Sequence, residues 1–232
     1  MKVRKGVQKI YAEVAETYEL INHILTFGLD IFWRKKTAKM AASLGGTLWL
    51  DVCCGTGEMA HTLSGCAAEE VQIFAVDFSP SMLAKAKHKS HRPNVFFSIA
   101  EAGSLPFPNG CFDLVTISFA TRNLNVRRDV LEFYLREFFR VLKPGGYFLN
   151  LETSQPSLHP IRQVFHSYVR FIVRPVGWFF SGSNAGYRYL SFTIPRFYAP
   201  EEFTSILRDT GFSRVVCQKF LLGFSALHAA TK

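Results

Sequence analysis

The chain has 232 residues, 48% apolar and 19% charged, a balance that supports a packed core and excludes disorder, collagen-like repeats and coiled coil. Its net charge of +9 is local: residues 1–9 hold Lys2, Arg4, Lys5 and Lys9 with no acid, and Thr153–Pro200 holds five arginines with no acid. Such an excess implies either an anionic partner, lipid headgroups or nucleic acid, or a solvated basic face.

In chain order, Val7, Ile10, Tyr11, Val14, Ala15 and Tyr18 follow the spacing of an amphipathic helix. A second helix is predicted over 30–43, with Phe32, Trp33, Met40 and the basic cluster Arg34–Lys36. Thr47–Cys53 reads as a buried strand that ends in the turn Gly55-Thr56-Gly57, with a helix beyond it. Val71–Val76 is a second strand closed by Asp77, and Ser79-Pro80 opens the next helix. Val95–Ala100 and Phe112–Phe119 are the third and fourth strands. A long helix over 128–142 follows, stopped by Pro144-Gly145-Gly146, and a fifth strand covers Tyr147–Glu152. After the acid-free segment come a helix over 200–210 and two strands, Ser213–Lys219 and Gly223–Ala230. Alternating strands and helices predict a doubly wound parallel α/β sheet with right-handed crossovers. The chain reads as one domain: N-terminal helices in 1–45, a core in 46–152, an insertion in 153–199, and a last helix and strand pair in 200–232.

The densest local signal is Leu50-Asp51-Val52-Cys53-Cys54-Gly55-Thr56-Gly57-Glu58. In an open α/β sheet, ligands sit beyond the carboxyl ends of the strands, where strand order reverses. Glycines there let the backbone turn tightly and approach a ligand. Asp77, at the end of the second strand, stands where a carboxylate can take both hydroxyls of a ribose; it could also serve only as a helix cap. The third glycine of a dinucleotide fingerprint is missing, and Glu58 follows the turn directly. A carboxylate there repels pyrophosphate and tolerates a cation, so the segment favours an adenosine that carries positive charge.

With Val76-Asp77-Phe78-Ser79-Pro80-Ser81-Met82-Leu83, Leu105-Pro106-Phe107, Phe112-Asp113 and Arg140-Val141-Leu142-Lys143-Pro144-Gly145-Gly146, this segment resembles the class I S-adenosylmethionine methyltransferases. Further stretches resemble one subfamily, the ubiquinone/menaquinone C-methyltransferases. They are Tyr18-Glu19-Leu20-Ile21-Asn22, Thr26-Phe27-Gly28 with Trp33, Thr116–Asn123, Leu151–Pro156 and Tyr187-Arg188-Tyr189-Leu190. The resemblance implies a Rossmann-like seven-stranded sheet, one strand antiparallel near its end, with an N-terminal helical extension and a helical insertion before the last two strands. It implies S-adenosylmethionine as cofactor, with its methionine part held by Asp51, Gly55, Thr56 and Gly57, and its ribose by Asp77. Phe78 would lie against the adenine, Glu101 and Ala102 at its edge, and Ser118 on the cofactor side of the fourth strand. It also implies a prenylated quinol as acceptor. Three departures stand out: Glu101 replaces the usual Asn or Asp, His23 replaces an acid, and Arg127-Arg128 replaces acidic or neutral residues.

Methylating a ring carbon requires a deprotonated ring hydroxyl, hence a group that takes or relays the proton and donors for the developing oxyanion. The resemblance assigns the main role to Arg122, assisted by Asn123 and Tyr18. Arg122 could instead pair with an acid, and Tyr18 could pack in the core. His61, His88 and His91 read as surface residues, His166 and His228 have no motif, and Cys53 and Cys54 read as packing residues. Five cysteines without a C-x-x-C pair suggest no disulfide framework, no metal and a reducing compartment.

Within the insertion, Arg162, His166, Arg170 and Arg174 recur every four residues, beside Phe165, Val169, Ile172 and Val173. A helix would stripe them into a basic and an apolar face, suited to an anionic membrane interface. The apolar face could instead pack on the domain or on a second subunit as a homodimer. No run of about 18 apolar residues occurs, so the expected location is cytoplasmic and peripheral to a membrane. The alternatives are another lipid, sterol or aromatic acceptor, a nucleic-acid binder, and a cofactor-binding scaffold without catalysis; the neutral central region argues against nucleic acid.

Overall fold

A computed structural model describes residues 17–89, 92–181 and 184–232. The predicted helix over 7–18 lies outside these residues except at its last turn, and so does His91. Helix α1 (Tyr18–Leu25) leads into α2 (Leu29–Leu44). Then come β1 (Leu48–Val52), α3 (Glu58–Ser64), β2 (Gln72–Asp77), α4 (Pro80–Lys89) and β3 (Val95–Ile99). The chain continues through β4 (Phe112–Ser118), α5 (Thr121–Leu124), α6 (Arg128–Val141) and β5 (Leu142–Thr153). The insertion is α7 (His159–Tyr168), a π-helical turn (Val169–Val173), α8 (Arg174–Ser181) and α9 (Asn184–Thr193). Helix α10 (Pro200–Asp209) and strands β6 (Ser213–Phe220) and β7 (Ser225–Thr231) close the chain.

The seven strands form one sheet in the order β3-β2-β1-β4-β5-β7-β6. The first five pair in parallel, and β7 runs antiparallel to both β5 and β6. The chain moves outward from β1 to β3 and restarts at β4 on the other side, so the switch point lies between β1 and β4. Leu50, Val52, Val115, Ile117 and Phe148 pack under α6 and α10 on one face; Trp49, Ile73, Leu114 and Leu149 pack under α2 and α3 on the other. Fully buried apolar side chains on both faces explain the uninterrupted apolar runs of the central strands.

Two expectations need correction. Pro144-Gly145-Gly146 does not separate helix from strand: β5 already pairs at Leu142 with Phe112, and pairing resumes at Tyr147 with Leu114. The intervening residues bulge out, with Gly145 at φ +76°. In the insertion, the described members of the basic stripe do not share one environment. Arg162 and His166 turn inward, onto the carbonyl of Pro156 and the side chain of Gln155, while Arg170 faces outward. Phe165, Val169 and Val173 pack with Ile21 and Leu25 of α1 and with Leu190 and Ile194, forming a third core. The apolar stripe thus closes on the domain, and Phe171, Ile172, Trp178 and Phe179 remain exposed.

Candidate active site

A cavity of about 400 Å³ opens beyond the carboxyl ends of β1, β2 and β4. Asp51, Gly55, Thr56, Asp77, Phe78, Glu101, Ala102, Ser118 and Asn123 all line it, so most of the sequence-predicted residues meet in one place. Two do not. Gly57 faces away, toward α4 and β3, where an added Cβ would stand 3.1 Å from Ala86 and from the Phe97 ring. Arg122 lines a second cavity. Tyr18 begins α1, but its side chain is outside the described ones.

Strand register fixes the acids. Asp51 is the penultimate residue of β1 and almost fully buried; its Oδ1 accepts from the Thr116 hydroxyl on β4 at 2.9 Å. Its Oδ2 has no hydrogen-bond partner. Burial pushes this carboxyl up to about 7, against the pull of the Thr116 hydroxyl and the Arg34 cation. Asp77 accepts from the Gly55 amide at 2.9 Å and the Ser79 amide at 2.8 Å, so it ties the two turns together. Burial also raises Asp77, opposed by those amides. Burial and the charges of Asp51 and Asp77 push the Cys53 and Cys54 thiols up, so both stay protonated and unreactive.

The turns carry strain. Cys53 and Phe119, just past the ends of β1 and β4, both sit at φ +55°. Non-glycine residues in this region cost on the order of 1–3 kcal/mol and persist only where neighbours enforce them. At Phe119 the neighbours are explicit: its amide donates to the Leu151 carbonyl at 2.8 Å, and its carbonyl accepts from Arg122 Nη1 at 2.9 Å.

The second cavity, of about 190 Å³, lies between α1, α2 and the insertion. Leu25, Leu29, Trp33, Phe165, Val169, Val173 and Leu190 make it apolar; Asp30, Arg34 and Arg122 supply its charges. Arg122 is buried and pairs with Glu152, Nη1 to Oε1 at 2.5 Å, while its own amide donates to Oε2 at 3.1 Å. The guanidinium therefore enters the cavity wall as half of a buried pair.

Arg34 and Phe119 line both cavities and form the wall between them. Arg34 stacks 4.9 Å from the Phe119 ring, donates to Ser118 Oγ at 2.6 Å and approaches Glu58 Oε2 at 3.2 Å. Its Nε, like Asp51 Oδ2, is buried without a partner. Sequence reasoning noted Arg34 only as part of a basic helical cluster. Its neighbours come from β4 and α3, and no local spacing announces them.

An unmet acceptor on Asp51 and an unmet donor on Arg34 face one cavity, a pattern that suits a zwitterion such as the amino-acid end of S-adenosylmethionine. Gly55, at φ +56°, has nothing within 4 Å of where a Cβ would stand, which leaves the backbone open to a ligand. The residues present thus fit the cofactor that the sequence implies.

Comparison with known proteins agrees. The chain is 33% identical over 229 residues to a demethylmenaquinone methyltransferase of Anoxybacillus flavithermus, covering 97% of this chain and 95% of that one. It is 34% identical over 229 residues to the enzyme of that name from Listeria welshimeri, with the same coverage. Among solved structures, a SAM-dependent methyltransferase of Thermotoga maritima, described as a possible histamine N-methyltransferase, superposes with a TM-score of 0.64 at 19% identity. That match covers 97% of this chain and 99% of that one and shows the shared fold. The sequence model of the ubiE/COQ5 methyltransferase family matches residues 1–232, and the chain belongs to that family.

Proposed function

We propose that the protein transfers a methyl group from S-adenosylmethionine to a ring carbon of a prenylated hydroquinone, demethylmenaquinol in the first instance. The observation that carries this reading is the pair of adjoining cavities: a larger one with an unmet acceptor on Asp51 and an unmet donor on Arg34, and an apolar one of ring size sharing the Arg34–Phe119 wall. The acceptor named for the Anoxybacillus and Listeria relatives supports the choice of quinol.

In this reading Asp51 takes the ammonium and Arg34 the carboxylate of the cofactor's methionine part, with Gly55 and Thr56 as backbone support. Asp77 takes the ribose hydroxyls; Phe78, Ala102 and Glu101 bound the adenine, and Gly57 sets the helix behind them. The bound sulfonium supplies an electrophilic methyl. The chain's own task is to hold the ring in line with it, and such positioning supplies on the order of 7–11 kcal/mol of barrier lowering. Arg122, held rigid by Glu152, donates to the developing ring oxyanion, and Asn123 assists from the cofactor side. Trp33, Phe165 and Val169 line the second cavity and limit the water in it.

A prenyl tail has to remain in lipid while the ring enters. Phe27 and Leu221 line the second cavity and are exposed at its mouth; Leu222, Phe171, Trp178 and Phe179 are exposed as well. Together with Arg170 and Arg188 they form the surface that meets an anionic bilayer, in a peripheral protein on the cytoplasmic face. Among the described residues, no helix is long and apolar enough to cross a membrane.

The test is transfer of radiolabelled methyl to demethylmenaquinol and to a demethylated ubiquinol precursor in liposomes, with Arg122→Lys alongside. Lipid-extractable label on one quinol, strongly reduced by the substitution, is the expected result. Cofactor binding with no label on either would move the acceptor to another lipid or aromatic. Flotation with anionic vesicles checks the membrane surface, and a dimer in sedimentation that buries it would displace the bilayer as its partner.

A further inference from the structure

The second cavity contains one group suited to accept a proton. Of the described residues that line it, Asp30 is the only carboxylate. Arg122 is committed to Glu152 as a cation, and the Tyr168 hydroxyl donates to the Leu25 carbonyl at 2.6 Å. Burial also raises Tyr168, which keeps its proton in place.

Asp30 is 1% exposed, and Arg34 Nη2 stays 3.9 Å away, an ion pair without a hydrogen bond. What holds it is His23, whose Nδ1 lies 3.0 and 2.9 Å from the two carboxylate oxygens, and the Thr26 hydroxyl, which donates to Oδ1 at 2.7 Å. Because Nδ1 faces only carboxylate oxygens, it carries the proton of that bond. The Nε2 side of the same ring faces Glu58 Oε1 at 3.3 Å.

The ligand atoms of His23, Asp30 and Glu58 lie within 4.8 Å of one another, a spacing a metal ion could use. Arg34 argues otherwise, since its guanidinium lies 3.2 Å from Glu58 and 3.9 Å from Asp30 and already supplies the cation. The arrangement is that of a carboxylate in the cavity wall held by an imidazole, an acid–histidine pair with the acid on the cavity.

We propose that Asp30 is the general base of the reaction and His23 the positioning residue that orients it. The inference rests on the quinol reading above. Asp30 takes the proton of the ring hydroxyl, and the O–H electron pair enters the ring. The ring carbon bonds to the methyl, whose bond to sulfur breaks with its electron pair left on a neutral thioether. The methylated carbon then loses its hydrogen to water as a proton. The ring becomes aromatic again, and its oxygen recovers the proton from Asp30. One proton is released per turnover, and Asp30 ends as it began.

The test measures kcat and KM for demethylmenaquinol in Asp30→Asn and His23→Gln, with thermal melting and calorimetric binding of S-adenosylhomocysteine as controls. Asp30→Asn is expected to lower kcat by about 10²–10⁴-fold, with KM and cofactor-product affinity little changed. His23→Gln should lower kcat less. Nitrogen-15 NMR should find a protonated His23 Nδ1 in the native enzyme. If Asp30→Asn does not fold, Asp30→Glu replaces it, with partial activity expected. Native kcat in Asp30→Asn, a deficit confined to KM, or an unprotonated Nδ1 would each overturn the assignment. A native enzyme that labels neither quinol would fail the acceptor reading itself and take the base with it, a result distinct from an active enzyme indifferent to Asp30.

Discussion

The two cavities sit on opposite sides of one arginine and are built by different means. The larger is made by strand ends, whose register on β1, β2 and β4 fixes Asp51, Asp77 and Ser118 with little freedom. The smaller is made by helices far apart in the chain, α1 and α2 against the insertion, around a core of its own. A sheet positions a few polar atoms tightly, whereas packed helices shape an apolar volume and can be refitted to a different ring. In the function proposed above, the difference separates a site for an invariant cofactor from a site for a particular acceptor.

The largest effect should come from the buried pair that braces the wall between them. Arg122→Ala leaves Glu152 buried and unpaired and releases the strained Phe119 carbonyl, with an expected loss of about 3–5 kcal/mol in urea unfolding. Adding Glu152→Gln should restore part of it. If the loss is small, the buried pair is not what holds the wall between the cavities.

Asp51→Asn should spare the fold and weaken S-adenosylhomocysteine binding by about 10–100-fold in calorimetry, the worth of one charge-assisted hydrogen bond. The pH dependence adds a sign. Burial raises the Asp51 carboxyl to about 7, so binding should tighten as pH rises through 7 and lose that dependence in Asp51→Asn. Stability runs the other way. Between about pH 4 and 7 the native state keeps a proton that the unfolded chain has lost, so Asp51 costs up to about 4 kcal/mol of stability as pH rises across that window. Burial pushes His228 down to about 4, and the stability it contributes is lost as pH falls from about 6.5. The melting test is therefore the difference between native and Asp51→Asn proteins, which removes the opposing His228 effect.

The two turn glycines should part company. Gly57→Ala forces a Cβ against Ala86 and Phe97 at φ +82° and should cost about 1–3 kcal/mol. Gly55→Ala meets open space, so its stability cost should be near 1 kcal/mol and its main effect a loss of cofactor affinity. Equal melting shifts would erase the distinction between a packing glycine and a ligand-facing one.

The smallest stability effect belongs to the outer insertion. Replacing exposed Phe171, Trp178 and Phe179 with serine should change stability by less than about 0.5 kcal/mol each while abolishing vesicle flotation. Phe165→Ala, from the inner face and stacked on Phe224 at 4.7 Å, should instead cost about 3–5 kcal/mol.

Much of the sheet half was legible because its signals are local. Apolar runs closed by Asp51 and Asp77 are enough to place two carboxylates at neighbouring strand ends. The helical half was legible as composition but not as geometry. The four-residue spacing of Arg162, His166, Arg170 and Arg174 predicts one basic face, yet Arg162 and His166 turn onto Pro156 and Gln155 while Phe165, Val169 and Val173 pack with α1. The pairing of Asp30 with His23 was not legible for the same reason: they are seven residues apart, on different helices, and meet only because α1 folds back on α2.

By itself, the sequence determined the alternation of strands and helices, the antiparallel end of the sheet through its family resemblance, and the residues gathered at the switch point. Periodicity and turn chemistry are properties of neighbouring residues. Only the tertiary structure decided that Gly57 packs while Gly55 opens, that Arg122 lines the second cavity, that Arg34 divides the two, and that a buried carboxylate stands in the wall of the apolar one. Each of those depends on what stands across a gap between elements distant in the chain, and packing alone brings them together.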